Sequence, residues 1–83
     1  MEREAIRSKL TEIFRDVFEK AELEIGEATT AADIPAWDSL AHIHLIVAVE
    51  RGFGIRFSSR EMQSWDHVGE MMDCIAEKLS QKA

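Results

Sequence analysis

Ser39 is the residue of this 83-residue chain whose setting most favours chemistry. It follows the loop-like stretch 34–38 and stands at the start of a predicted helix. The first backbone N–H groups of a helix have no partner within it, and the positive end of the helix dipole lies there too. A phosphate group placed on Ser39 would be stabilised by both effects. A modifying enzyme could also reach the serine from the loop side while the helix holds it in position.

Other candidate side chains give weaker signals. His42 lies three positions after Ser39, which allows a nucleophile and a base, but so small a bundle offers little room for an oxyanion hole and no third orienting group. A serine hydrolase is therefore a minor alternative. His42 and His44 point to different helix faces at a spacing of two, so we expect no metal site. We expect His67 to be solvated and Cys74 to be a partly exposed structural thiol.

The first element that would support this site is an amphipathic helix. Apolar residues recur at steps of three and four from about residue 3 to 21, which predicts a helix with a solvated outer face. The apolar face consists of Ile6, Leu10, Ile13, Phe14, Val17, Phe18 and Ala21.

The segment from about residue 24 to 38 has no helical period. Gly26 and Pro35 lie in it among scattered acids, which predicts a long loop. Loops of this length in small domains are functional or are held down by apolar anchors. Ile25, Ile34 and Trp37 are the candidate anchors.

A second helix is predicted from Asp38 or Ser39 to about Arg51, and either of these first two residues can cap it. Gly52 and Gly54 are expected to end it. Its broad apolar arc predicts a central place in the packing. This arc comprises Leu40, Ile43, Ile46, Val47, Ala48 and Val49.

The rest of the chain predicts one short and one long helix. Ser58 and Glu61 have the spacing of a capping box, so a helical turn is expected from 59 to 64. Asp66 can cap the last helix, whose apolar stripe comprises Val68, Met71, Met72, Ile75, Ala76 and Leu79. No segment alternates as a strand would. We therefore predict an all-α fold in which residues 1–83 form one domain, a small bundle of three main helices and one short helix.

Composition excludes several classes of function. The net charge of −6, without a dense basic stripe, argues against nucleic-acid binding. The single cysteine cannot form an internal disulfide, which favours a reducing compartment. The first residues lack the apolar stretch of a signal peptide, and no apolar run is long enough to span a membrane. We expect a cytoplasmic protein that binds no membrane and is a monomer.

Residues 37–40, Trp-Asp-Ser-Leu, resemble the attachment motif of the acyl carrier proteins. The resemblance continues in residues 49–57, which look like the end of that family's second helix and the apolar loop after it. Residues 65–72 look like the start of its last helix. The resemblance covers nearly the whole chain, with the first helix matched by pattern alone. Asp-Ser-Leu alone is a weak motif, but at this helix start and in this order of helices it is specific.

The resemblance implies a carrier and not an enzyme. A phosphopantetheinyl transferase would attach 4′-phosphopantetheine from coenzyme A to Ser39, between Asp38 and Leu40, and the thiol of this arm would hold acyl groups as thioesters. The partners would be this transferase and acyl-loading and acyl-processing enzymes. The expected partner contacts are Leu40, Val47, Glu50, Arg51 and Ile55. The acyl pocket would be lined by Val49, Phe57, Trp65 and Met71, with Trp65 either narrowing the pocket or packing in the core.

One departure from the family pattern concerns the second helix. In fatty-acid carriers this helix is usually acidic and docks on basic patches of the synthase enzymes. Here residues 40–60 contain one acid, Glu50, against Arg51, Arg56 and Arg60. This favours a specialised carrier, for polyketide, lipid-modification or similar chemistry, over one for housekeeping fatty-acid synthesis. A peptidyl or amino-acyl carrier, or a non-enzymatic helical module that binds a partner groove, is the alternative.

Overall fold

The computed structural model describes residues 2–81 and contains no strand in that range. Its four helices are α1 (Arg3–Val17), α2 (Ser39–Phe53), α3 (Ser59–Gln63) and α4 (Val68–Gln81). A single turn of 3-10 helix, Ala31–Asp33, interrupts the long connection between α1 and α2. The prediction of an all-α bundle with three main helices and one short helix is therefore confirmed.

The core forms where α1 packs against both α2 and α4. The predicted stripes of α1 and α4 are confirmed, because Ile6, Leu10 and Phe14 of α1 are fully buried and so are most apolar residues of α4. Removing these side chains from water is the main favourable contribution to folding. The buried core comprises Ile6, Leu10, Phe14, Phe18, Ile25, Ile34, Leu45, Val49, Phe53, Ile55, Val68, Met71, Met72 and Ile75.

The predicted C-terminus of α1 is wrong by four residues, since α1 ends at Val17 and not near residue 21. The N–H of Lys20 donates to Arg15 O at 3.0 Å and that of Glu19 donates to Asp16 O at 3.4 Å. These two bonds form a Schellman motif in which Glu19, at φ 53°, occupies the left-handed position that glycine usually takes. Ala21 is exposed and fits the apolar period by coincidence.

The connection between α1 and α2 is anchored as predicted. Ile25 and Ile34 are buried, and the indole of Trp37 packs edge-on against Phe14 with ring centroids 5.3 Å apart. Polar contacts add to this anchoring. The Arg3 guanidinium makes two hydrogen bonds to Glu27, at 3.0 and 2.8 Å, and an ion pair with Asp73 at 2.7 Å. This guanidinium lowers the pKa of the Glu27 carboxyl below its usual value, mainly through the hydrogen bonds.

The start of α4 also differs from the prediction. The helix begins at Val68, two residues after Asp66, whose side chain caps nothing in the described part of the chain. The N–H groups of Val68 and Gly69 donate to Thr29 O and Glu27 O, each at 2.8 Å. The α1–α2 connection therefore supplies the acceptors that a capping side chain would otherwise provide.

Two predictions about α2 need correction. Gly54, with φ 67°, is the C-cap, whereas Gly52 lies inside the helix. The apolar arc is not all core: Ile46 and Val49 are buried together with Leu45 and Phe53. Leu40, Ile43 and Val47 lie on the opposite face, exposed by 64%, 59% and 42%. We call these three residues the α2 stripe; at spacings of three and four they share one helix face.

The capping box of α3 is confirmed. Ser58 Oγ accepts from the Glu61 N–H at 3.2 Å, and a Glu61 carboxylate oxygen accepts from the Ser58 N–H at 2.7 Å. The same carboxylate pairs with Lys78 of α4 at 3.0 Å, which ties α3 to the bundle. The helix ends at Gln63, one residue earlier than predicted. Between residues 2 and 81, no helix has the length and apolar character needed to cross a membrane.

Candidate functional site

Ser39 is the first residue of α2, and Asp38 occupies the N-cap position before it. The Asp38 carboxylate accepts a hydrogen bond from the Ala41 N–H at 2.8 Å. The sequence allowed either residue to cap the helix, and the structure assigns this role to Asp38. Ser39 is exposed, and its hydroxyl has no hydrogen-bond partner among residues 2–81. The hydroxyl is therefore accessible at the positive end of α2 and is not needed to complete the helix.

Trp37 fixes the approach of the loop to Ser39. Its backbone N–H donates to Ile34 O at 2.9 Å, and its indole Nε1–H donates to His42 Nδ1 at 3.0 Å. The indole and imidazole rings are also stacked, with centroids 5.9 Å apart and an interplanar angle of 22°. Because the indole nitrogen can only donate, Nδ1 of His42 is the acceptor in this bond. The bond from Trp37 to His42 thus links the loop before Ser39 to the helix after it.

A groove of about 430 Å³ opens beside Ser39. Its walls carry the rings of Trp37, His42 and Trp65 and the thioethers of Met62 and Met71; we call it the aromatic groove. The His42 and Trp65 rings meet at 71° with centroids 6.4 Å apart, so the three rings form a continuous wall. A flexible group attached to Ser39 would find an apolar surface within reach.

The predicted acyl-pocket residues are only partly brought together. Trp65 and Met71 line the aromatic groove, but Val49 is fully buried in the core and does not reach it. Phe57 lies behind Trp65, which it contacts edge-on at a centroid distance of 4.9 Å. The sequence analysis missed Trp37, His42 and Met62 as wall residues. Met62 could be assigned to the predicted short helix from sequence. Which way its side chain points depends on how that helix packs on the bundle, and the sequence does not reveal this.

The predicted partner contacts divide in the same way. Leu40 and Val47 are exposed on the α2 stripe, and Arg51 is exposed one turn further along the helix. Glu50 Oε2 accepts the Phe57 N–H at 2.8 Å and so braces the loop after α2. Ile55 is 7% exposed and packs in the core, so little of its side chain is available to a partner.

Of the remaining candidate side chains, His44 and Cys74 lie away from the groove beside Ser39, whereas His67 is one of the residues that line it. His44 is exposed on another face of α2 than His42, as the spacing predicted. His67 is exposed, as expected, and lies 3.5 Å from a Glu70 carboxylate oxygen. Cys74 is half-buried, and its Sγ contacts Glu61 at 3.6 Å. Burial, reinforced by the nearby Glu61 carboxylate, raises the pKa of the Cys74 thiol to about 11, as expected for an unreactive structural cysteine.

Comparison with known proteins gives concordant matches. A family model described as "Phosphopantetheine attachment site" matches residues 8–75. The acyl carrier protein of Coprothermobacter proteolyticus is 33% identical over 82 residues, which are 99% of this chain and 100% of that protein. The solution NMR structure of the holo acyl carrier protein from Geobacter metallireducens is similar with a TM-score of 0.86 and 41% identity, covering 92% of this chain and 87% of that one. The similarity thus extends over almost the whole chain in both sequence and fold.

Proposed function

The chain belongs to the acyl carrier protein family, and from this premise we propose that Ser39 is the residue that holds its covalent phosphopantetheine. Members of this family are carriers and not enzymes, which removes the serine hydrolase alternative. Membership also implies modification by a phosphopantetheinyl transferase and service to acyl-processing enzymes.

The observation that carries the assignment is the division of roles between Asp38 and Ser39. Asp38 caps α2, so the neighbouring hydroxyl is exposed and free to be esterified. The phosphate that joins phosphopantetheine to a serine carries negative charge, and the start of a 15-residue helix favours an anion. The exposed hydroxyl, the helix N-terminus and the groove beside it all fit this group.

The residues around Ser39 hold and present the attached group. When bound, phosphopantetheine supplies a terminal thiol that holds an acyl group as a thioester. Asp38 keeps the first turn of α2 intact, and the bond from Trp37 to His42 keeps the loop from moving across the serine. Leu40, 64% exposed beside the attachment point, offers an apolar contact to a bound transferase.

Transferase treatment with coenzyme A tests the attachment site. We expect the intact mass of the wild-type protein to rise by one phosphopantetheine unit and that of Ser39→Ala to stay unchanged. Ser59→Ala is the matched control, because Ser59 is also exposed and also follows the N-cap of a helix, α3. It should gain the full unit. A mass gain in Ser39→Ala, or none in the wild type with a promiscuous and the cognate transferase, would refute the assignment.

The proposal extends to a specialised pathway in place of housekeeping fatty-acid synthesis. The α2 stripe presents apolar residues to the solvent, and Arg51 continues the same helix face. Glu50, the one acid within α2, has one carboxylate oxygen engaged by the Phe57 N–H, so this helix offers a partner little negative charge. Such a surface suits partners with an apolar cleft and an acidic rim better than partners with basic patches.

Exchange with enzymes of fatty-acid synthesis tests the pathway. We expect the holo protein to be a poor substrate for a fatty-acid malonyltransferase, and Arg51→Glu to improve it at low salt. Arg60→Glu, an equal charge change at an exposed position of α3, should improve it less. Leu40→Ala should weaken modification by the transferase while changing the free energy of unfolding by less than about 0.5 kcal/mol, since the side chain is exposed. Efficient malonyl transfer to the wild type at ordinary salt would contradict the pathway proposal.

We further propose that the protein is a cytoplasmic monomer. The single cysteine cannot form an internal disulfide, which is compatible with a reducing cytoplasm. A monomer is expected, because the carrier must present Ser39 and the α2 stripe to successive enzymes. Light scattering of the holo protein would reveal a dimer if the stripe instead pairs with a second copy.

A further inference from the structure

The aromatic groove has a wall of fixed orientation. Trp37 and His42 are stacked and joined by a hydrogen bond of 3.0 Å, and Trp65 meets His42 at 71°. Trp37 is held from behind by Phe14, on which it packs edge-on. Rings that are already locked lose little freedom when a guest binds, so the groove presents a preorganised aromatic surface.

Packed side chains lie behind the wall of the groove. Phe57 packs edge-on behind Trp65, with ring centroids 4.9 Å apart. Two contacts fix Phe57 in turn: its N–H donates to the Glu50 carboxylate, and the Lys78 ammonium lies 5.8 Å from the centre of its ring. Met71, at the base of the groove, is 1% exposed and belongs to the core. A long alkyl chain could extend inward only by displacing these packed side chains, whereas a short group needs no such change.

We propose that this groove selects a short planar acyl group, aryl or conjugated, over a saturated chain of the same size; the inference rests on attachment at Ser39. Planar guests gain stacked or edge-on contacts with the rings beyond the simple burial of apolar area. Trp65 is the specificity-determining residue, because it is at once a wall of the groove and the barrier at its inner end. The expected preference is about three- to tenfold in occupancy of the groove.

A comparison of benzoyl and heptanoyl cargo tests this inference, because both groups have seven carbon atoms. Each is placed on the protein by transferase treatment with the corresponding acyl coenzyme A. In this step the Ser39 oxygen forms the bond to phosphorus, the pyrophosphate bond breaks, adenosine 3′,5′-bisphosphate leaves and the serine proton passes to solvent through the transferase. Cleavage of each thioester by hydroxylamine is then measured relative to the same acyl coenzyme A, which removes differences in intrinsic reactivity.

We expect protection of the benzoyl thioester to exceed that of the heptanoyl thioester by about three- to tenfold. The indole N–H signals of Trp37 and Trp65 should shift with benzoyl and shift less with heptanoyl. Trp65→Leu should remove the difference, and Trp65→Phe, which keeps a ring, should retain most of it. If Trp65→Leu fails to fold, the wild-type comparison and Trp65→Phe still decide the question.

Two results would overturn the inference. One is equal protection of benzoyl and heptanoyl thioesters; the other is stronger protection of a dodecanoyl thioester than of either, which would mean that a long chain enters the core. Failure to load any acyl group, with no mass gain from coenzyme A itself, would instead refute attachment at Ser39. Mass spectrometry of the loaded protein separates these cases before hydroxylamine is added.

Discussion

Gly52 lies in the last turn of α2 and Gly69 in the first turn of α4, and replacing each by alanine should have different consequences. Alanine favours a helix over glycine by about 1 kcal/mol in its interior, so propensity alone predicts that both substitutions stabilise the protein. The surroundings of the added methyl group differ. At Gly52 it would meet Ile13 Cδ1 at 2.8 Å, and at Gly69 it would meet the backbone oxygen of Glu27 at 3.0 Å.

The contact at Gly52 can be relieved and that at Gly69 cannot. Ile13 is half-exposed, and its Cδ1 atom is the far end of the side chain, so it can move away from the added methyl group. Moving it costs about 0.5–1.5 kcal/mol, which offsets most of the gain in helix propensity. The Glu27 oxygen, in contrast, accepts the Gly69 N–H at 2.8 Å. Moving it away weakens that bond, worth about 0.5–1.5 kcal/mol, and adds an overpacking cost of about 1–3 kcal/mol.

We therefore expect Gly52→Ala to stay within about 0.5 kcal/mol of the wild type and Gly69→Ala to lose about 2 kcal/mol. For a domain of this size the second change lowers Tm by roughly 10 °C. Urea and thermal denaturation followed by circular dichroism measure both quantities. Equal stability of the two variants would refute the reasoning, because it would mean that the loop carbonyls do not constrain the start of α4.

Three further predictions concern single side chains. Glu19→Gly should raise the free energy of unfolding by about 0.5–1 kcal/mol in urea denaturation, because glycine adopts the left-handed conformation without strain, and an unchanged value would contradict the Schellman assignment. The Ser58 backbone N–H, with help from the Lys78 ammonium, holds the pKa of the Glu61 carboxyl at about 2, below its usual 4.5. This stabilisation is present above pH 4.5 and is lost as the pH falls toward 2, so the difference in stability between the wild type and Glu61→Gln should shrink over that interval. Cys74, with a pKa of about 11, should be alkylated by iodoacetamide at about pH 8 at least tenfold more slowly in the folded protein than in urea; equal rates would show that the thiol is not shielded.

The features that sequence predicted well depend on contacts within one segment. The capping box between Ser58 and Glu61 needs only residues three positions apart, and the α4 stripe needs only the helical period. The placement of Ser39 at the start of α2 belongs to the same class, because a capping residue and a following apolar period mark a helix start. The anchors Ile25, Ile34 and Trp37 followed from their apolar character in a polar stretch.

The errors arose where distant segments decide the local structure. Asp66 looked like a cap, but the acceptors at the start of α4 come from Glu27 and Thr29, some forty residues earlier in the chain. Gly52 looked like a terminator, but it allows the close approach of Ile13 from α1. The α2 arc looked like core because composition cannot separate an apolar residue that packs inside from one that stays exposed.

The exposed α2 stripe and the aromatic groove make two separate demands on α2. The stripe lies on the face opposite Leu45 and Val49, so its residues are free of the core and can be exposed without loosening the bundle. The groove lies on the flank that carries His42, where Trp37 and Trp65 provide the other walls. Ser39, at the start of the same helix, is next to both surfaces. The two proposals together imply that a partner enzyme can contact Leu40 and the rest of the stripe while the cargo is still in the groove, so that recognition of the carrier need not depend on release of the cargo.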